Sequence, residues 1–164
     1  MLDANVTSAA ELLSNYIRRI ISDLPNELQY LADEISEVVR CPDVGSWGLK
    51  GPGDGWSFLC DVGLPQSCPT MIDLSVDVRD LGECVQIGTN NYGDPVCIEK
   101  TSGVVVYFEN EGGHKRHQIN KSALAFFCSI CAYDHRALMA TRATIRALDP
   151  AAVSDGQWWH NATS

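Results

Sequence analysis

Residues 84–110 read CVQIGTNNYGDPVCIEKTSGVVVYFEN, and the fold class follows from this stretch. Short apolar segments occupy 84–88, 95–100 and 103–110. Between them lie clusters of Gly, Asn, Asp, Thr and Ser, which are typical of tight turns. Connections this short join antiparallel neighbours, because a parallel pair needs a long crossover. The stretch therefore predicts an antiparallel meander.

Flanking segments extend this meander on both sides. Residues 71–79, MIDLSVDVR, alternate apolar and polar side chains, as a strand with one buried face does. After Gly112 and Gly113, residues 115–119 predict one more strand. The run HKRH at 114–117 is a basic island in an acidic chain. It fits a charged edge strand that discourages aggregation, or a contact with an anionic partner.

Helical periodicity appears before and after the predicted strands. Apolar side chains recur at helical spacing over 8–22, and after Pro25 the segment 26–39 predicts a second helix. From about Lys121 to Ala147 the sequence predicts one long helix, with Asn120 or Ser122 as its N-cap. Together the elements predict an α+β fold, in which a twisted antiparallel sheet has helices packed on one side.

The totals bound the class of protein. A chain of 164 residues with 45% hydrophobic and 20% charged residues predicts a single domain over 1–164, with a helical N-terminal segment over 1–40. No run of about eighteen apolar residues exists, so we expect no membrane span. The N-terminus lacks the basic and apolar regions of a secretory signal, which indicates a cytoplasmic protein.

The charge balance is strongly acidic. The formal net charge is -9, so phosphate backbones are repelled and direct nucleic-acid binding is disfavoured. Residues 1–120 hold 18 of the 21 acidic residues. Two interpretations fit this excess. It keeps the chain in solution, or it forms an acidic face for a basic partner.

Seven cysteines are many for this length, but their odd number and irregular spacing do not suggest a disulfide framework. Cys128, Cys131 and His135 have a spacing that fits a metal site, a redox pair or the buried side of a helix. Core packing is favoured, because their neighbours on the same helical face are apolar and no second pair of ligands completes a zinc site. We expect no metal and no other cofactor.

No catalytic motif stands out. The glycine-rich run GLKGPGDG at 48–55 lacks the pattern of a phosphate-binding loop, and no G-x-S-x-G elbow occurs. No pair of histidine and acid has a spacing that singles it out for acid–base chemistry. We therefore expect no catalytic residues, and the sequence favours a binding module over an enzyme.

Several stretches, taken in order, carry a resemblance. FL-x-x-x-GLP occurs at 58–65, and a strand–G-x-x-x-x-G-x-P–strand hairpin occurs at 86–98. GVVVYF at 103–108 is similar to a G-x-V-Y strand, 118–126 to the start of a long helix, and 148–159 to a tail with an Asp-Pro turn and tryptophan. Together they resemble the SUKH superfamily of Knr-like and Syd-like proteins.

The resemblance covers roughly residues 45–160 and implies a SUKH-like fold without catalysis. Many members are bacterial immunity proteins, which bind a cognate toxin, often a nuclease or deaminase, and occlude its active surface. One alternative is a regulatory or scaffolding module that binds a host protein, as in the Knr-like branch. A third hypothesis is a thiol or zinc protein that uses Cys128, Cys131 and His135.

If the chain is an immunity protein, its partner-binding residues should be acids that point out of the sheet or lie on its turns. Alternation along the strands selects six candidates: Asp73, Asp77, Asp94, Glu99, Glu109 and Glu111.

Overall fold

The computed structural model describes residues 2–40, 59–68, 72–74 and 78–164 of the chain. Within these ranges the protein is α+β, with a mostly antiparallel sheet and helices before and after it. The predicted fold class is therefore confirmed at this coarse level.

The N-terminal segment is only partly the predicted pair of helices. Helix α1 spans Leu2–Asp23 and contains the first predicted helix. The prediction of a second helix over 26–39 is wrong. In its place are a 3-10 helix at Asn26–Leu31, a single turn α2 at Ala32–Ile35 and strand β1 at Val38–Val39. Neither of these two helical pieces contains a buried residue, so no core contact favours a continuous helix there.

Strand β1 forms a small antiparallel pair with β2, which spans Leu64–Pro65. Gly63 leads into β2 with a φ of +82°, a conformation that favours glycine. A Cβ atom at this position would lie 2.8 Å from the carbonyl oxygen of Val39. Glycine therefore permits both the turn and the close approach of the two strands.

The main sheet contains the predicted meander. Its strands are β3 (Ser67–Cys68), β4 (Ile72–Asp73), β5 (Arg79–Asp80), β6 (Cys84–Asn90), β7 (Pro95–Glu99), β8 (Val105–Phe108) and β9 (Arg116–Asn120). The order is β3-β4-β6-β7-β8-β9, with β5 also paired to β6, and every pairing is antiparallel. Strand β9 is last in this order among the described strands, and Arg116 and His117 of the basic run lie on it.

The predicted continuous strand at 71–79 is interrupted. Asp73 lies opposite Thr89, and Arg79 lies opposite Gln86. The segment from Asp73 to Arg79 therefore advances six residues while its partner strand β6 advances only three. Strand β6 also has a register shift between Gln86 and Gly88. A Cβ atom at Gly88 would lie 2.6 Å from the carbonyl oxygen of Asp73, so only glycine admits this approach.

The prediction of one long helix over 121–147 is also wrong, because this segment forms two helices. Helix α3 spans Ala123–Ala132 and α4 spans Leu138–Leu148. Ser122 is the N-cap of α3, as predicted, and accepts a hydrogen bond from the backbone N–H of Ala125 at 3.1 Å. A 3-10 helix at Pro150–Val153 and helix α5 at Trp158–Ala162 follow.

The break between α3 and α4 is fixed by contacts from outside it. The Arg19 guanidinium on α1 donates to the carbonyl oxygens of Cys131 and Tyr133 at 3.1 and 2.7 Å. The hydroxyl of Thr141 accepts from the backbone N–H of Asp134 at 3.1 Å. These bonds satisfy backbone groups that a continuous helix would have paired internally, and a cation suits the negative end of α3.

Helices cover one face of the sheet. The core joins sheet residues with helical ones: Val85, Ile87, Val96, Ile98, Val105, Ile119, Phe126, Phe127, Ile130, Ile145 and Trp159. Cys84, Cys97 and Val106 form a separate buried cluster on the other face. Among the described helices, none combines the length and apolar character needed to cross a membrane.

A buried polar network ties the C-terminal segment to the sheet. The indole Nε1–H of Trp159 donates to Oδ1 of Asn120 at 2.7 Å. A carboxyl oxygen of Asp149 accepts from the backbone N–H of Lys121 at 2.7 Å and from Nδ2 of Asn120 at 3.3 Å. The Asp149 side chain therefore makes no cap hydrogen bond to the following 3-10 helix, but holds the end of β9.

Candidate functional site

A cavity of about 600 Å³ lies at one end of the sheet. The turn after β6, the chain after β8 and the C-terminal segment meet there. We call it the acidic cavity, because three carboxyl groups and three aromatic rings line it together with Asn side chains and Gly156. The residues that define it are Asp94, Glu109, Glu111, Tyr92, Tyr107 and Trp158. This volume lies within the range of pockets that bind small organic groups.

The turn between β6 and β7 is closed by side chains. Oδ1 of Asn90 accepts hydrogen bonds from the backbone N–H groups of Tyr92 and Asp94, both at 2.9 Å. Gly93 supplies the positive φ of +79° that the turn requires. The Tyr92 side chain is 87% exposed at the rim of the acidic cavity. A firmly held turn therefore presents an aromatic ring to solvent.

Asp94 joins this turn to the next hairpin. One carboxyl oxygen accepts from Nδ2 of Asn90 at 2.9 Å, and the other accepts from the backbone N–H of Asn110 at 2.8 Å. Nδ2 of Asn110 returns a bond to the carbonyl oxygen of Gly93 at 2.8 Å. Asp94 is buried, so it forms the base of the acidic cavity and is not an exposed contact.

Stacked aromatic rings form the wall beside it. Tyr107 on β8 stacks on His117 of β9, with ring centroids 4.7 Å apart, and meets Trp158 edge-on at 5.6 Å. Burial raises the pKa of the Tyr107 hydroxyl, and the negative charges of Glu109 and Asp94 raise it further. The phenol therefore stays neutral at physiological pH, in a local field that favours positive charge.

The other two acids of the acidic cavity are more accessible. Oε1 of Glu109 lies 2.7 Å from Nε2 of His117, but Nε2 has no aligned hydrogen bond. Glu109 and His117 are therefore close neighbours that no aligned hydrogen bond joins. Glu111 is exposed and makes no hydrogen bond or ion pair with any other residue that the structure describes.

The six candidate acids divide into separate places. Asp94, Glu109 and Glu111 meet at the acidic cavity, while Asp73 is exposed on β4 and Asp77 lies outside the described residues.

Glu99 does not line the acidic cavity. An oxygen of its carboxylate lies 2.5 Å from Nε of Arg116, and the other accepts from the Ser102 hydroxyl at 2.6 Å. The Arg116 guanidinium and the Ser102 hydroxyl hold the pKa of this carboxyl below its usual range. Glu99 is thus already paired across the sheet.

The cysteines whose side chains the structure describes are buried or half-buried. Cys131 is buried and Cys128 half-buried on α3, whereas His135 is exposed in the link after the helix has ended. Burial raises the pKa of the Cys128 thiol. In the part of the chain that the structure describes, no three His, Cys, Asp or Glu side chains group as metal ligands. None of the five cysteines whose side chains are described takes part in a disulfide.

Sequence reasoning missed the aromatic part of the site. In the doublet Trp158-Trp159, Trp159 is completely buried in the core. Trp158 instead contributes a wall of the acidic cavity. The sequence does show that Asn, Gly and aromatic residues are frequent in these turns. No local sequence pattern, however, indicates that 90–94, 107–111 and 156–161 meet in the fold.

A pH effect on stability is expected from the thiol of Cys97. Burial raises its pKa above the ordinary value of 9.0, and the neighbouring Cys84 raises it further. Above pH 9 the unfolded chain loses this proton while the folded chain keeps it, so the free energy of unfolding falls as pH rises. Urea unfolding at pH 8 and pH 10 should show about 1 kcal/mol more loss for wild type than for Cys97→Ala.

Cys60→Ala is the matched control, because Cys60 is a half-buried thiol outside this cluster. An equal alkaline loss in wild type and Cys97→Ala would contradict this account of the thiol.

The chain matches no protein-family model, no curated protein and no solved structure. Its similarity to the SUKH superfamily therefore stays a prediction.

Proposed function

We propose that the protein is a cytoplasmic immunity protein, which binds a cognate toxin and blocks its working surface without catalysis. The acidic cavity is the observation that carries this proposal, because half of the acids predicted from sequence to face a partner meet there beside the exposed ring of Tyr92 and two half-buried aromatic rings. Aromatic residues in a pocket with a charged rim are the usual anchors of a tight interface. The resemblance to immunity proteins supplies the class of partner.

The charge of the chain supports the same proposal. A toxin that cleaves or deaminates nucleic acid needs a basic cleft for phosphates. A protein with net charge -9 is steered towards such a cleft and can exclude nucleic acid from it. Nanomolar binding needs about 12 kcal/mol, which a few buried aromatic side chains and charge pairs can supply.

Charge reversal at the acidic cavity tests this function. The double variant Glu109→Lys/Glu111→Lys should associate with the cognate toxin about tenfold or more slowly at low salt, and the difference should shrink at high salt. Glu27→Lys/Glu34→Lys is the matched control, since both acids are exposed elsewhere and the change in net charge is equal. Stopped-flow association and rescue of cells that express the toxin are the measurements.

Equal association rates for the two double variants would remove the acidic cavity from the interface. Failure of the wild-type chain to rescue cells, although it binds a host protein, would favour the regulatory or scaffolding alternative.

A further inference from the structure

The acidic cavity is suited to a positively charged ligand. It contains the carboxyl groups of Asp94, Glu109 and Glu111, and no lysine or arginine is among its described lining residues. Burial, and after it the charges of Glu109 and Asp94, raise the pKa of the Tyr107 hydroxyl on the cavity wall. A cation entering here would interact with fixed negative charges at a site where β6, β8 and the C-terminal segment already hold the walls in place.

The ligand should be an organic cation and not a metal ion. About 600 Å³ is far more than a bare ion fills, and no metal-ligand group occurs among the described residues. Two of the walls are the rings of Tyr107 and Trp158, which contact each other edge-on. Aromatic faces attract organic cations, whereas they provide no ligand atom for a hard metal ion.

We propose that the acidic cavity binds a guanidinium group. Glu109 and Glu111 provide carboxylates to which a planar fork of five N–H donors can bind with two parallel hydrogen bonds. A guanidinium also stacks on aromatic rings and is less strongly hydrated than an ammonium group. The side-chain oxygens of the lining asparagines offer further acceptors. These features together favour arginine over lysine.

The source of the guanidinium rests on the proposed function. An immunity protein would meet this group as an arginine side chain of its toxin, inserted between Tyr92 at the rim and Trp158 on the wall. A free guanidinium compound has the same chemistry, so the two sources need separate experiments.

The first experiment uses the protein alone. Nα-acetylarginine amide is titrated into the full chain, and the indole Nε1–H signals of Trp158 and Trp159 are followed by NMR. The Trp158 signal should shift saturably, while that of the buried Trp159 stays in place. Nα-acetylcitrulline amide, which has nearly the same shape but no charge, should bind at least tenfold more weakly. Nα-acetyllysine amide should also bind more weakly.

Variants locate the site. Glu109→Gln/Glu111→Gln should reduce the affinity for the arginine probe at least tenfold, whereas Glu27→Gln/Glu34→Gln should leave it unchanged. Three results would overturn the proposal. They are equal affinity for the citrulline probe, tighter binding of the lysine probe, and no shift with the arginine probe. The probe series on wild type decides this even where a variant folds poorly.

The second experiment separates the source of the ligand from the site. If Glu109→Gln/Glu111→Gln loses the arginine probe and also binds toxin at least tenfold more weakly, a partner arginine is the ligand. If it loses the probe but binds toxin with wild-type affinity, the guanidinium site stands and its assignment to the toxin is overturned.

Discussion

Replacing Trp159 with alanine is expected to lower the free energy of unfolding by about 3–5 kcal/mol, the usual cost of deleting a large buried aromatic side chain. Trp159 has no exposed surface and contacts the core that joins sheet and helices. Its removal also leaves Oδ1 of the buried Asn120 without its donor. Thermal unfolding should show a melting temperature about 10 °C lower or more.

Trp158→Ala is the matched control for this change. Trp158 has the same side chain and lies on the same helix, α5. It is only half-buried, however, and its Nε1 has no hydrogen bond among the described residues. We expect a loss of about 1 kcal/mol. Similar losses for the two tryptophans would contradict the assignment of Trp159 to the core and of Trp158 to the cavity wall.

Replacing Asp149 with alanine is expected to cost about 2–3 kcal/mol, because it leaves the part-buried backbone N–H of Lys121 without its acceptor and removes one of the two acceptors of Nδ2 of the buried Asn120, the other being the Ser129 hydroxyl. Asp149 is buried and accepts hydrogen bonds from the Lys121 backbone and the Asn120 side chain. These bonds connect the end of β9 to the segment that carries both tryptophans. Urea unfolding with a constant slope is the measurement.

Two further variants show whether the carboxyl group itself matters. Asp149→Asn keeps one acceptor oxygen and should cost only about 1 kcal/mol. Asp155→Ala removes an exposed carboxyl group on the same segment and should change stability by less than about 0.5 kcal/mol. A cost for Asp149→Ala no larger than that of Asp155→Ala would show that the network does not stabilise the fold.

Much of the sheet was predictable because its signals are local. The apolar segments and glycine-containing turns of 84–119 gave β6 to β9 with bounds close to those observed. The helix at 8–22 and the Ser122 cap were confirmed for the same reason: helical spacing and capping need only a few consecutive residues.

The errors arose where distant groups replace local ones. Arg19 satisfies carbonyl groups at the end of α3, so the helix predicted over 121–147 can stop at Ala132. The close approach of Asp73 to Gly88 accompanies the interruption of the strand predicted over 71–79. Neither partner is near in sequence, so no periodicity could have shown these contacts.

The sequence by itself determined the acidic charge, the meander and the use of cysteine as a packing residue, since composition and side-chain period act over short distances. Only the tertiary structure decided that Asp94, Glu109 and Glu111 meet around Tyr107 and Trp158. The three acids come from two turns, and the indole comes from a segment more than forty residues later. The two turns and the C-terminal segment meet at the end of the sheet, because buried hydrogen bonds such as those of Asp94 and Asn120 fix where they lie.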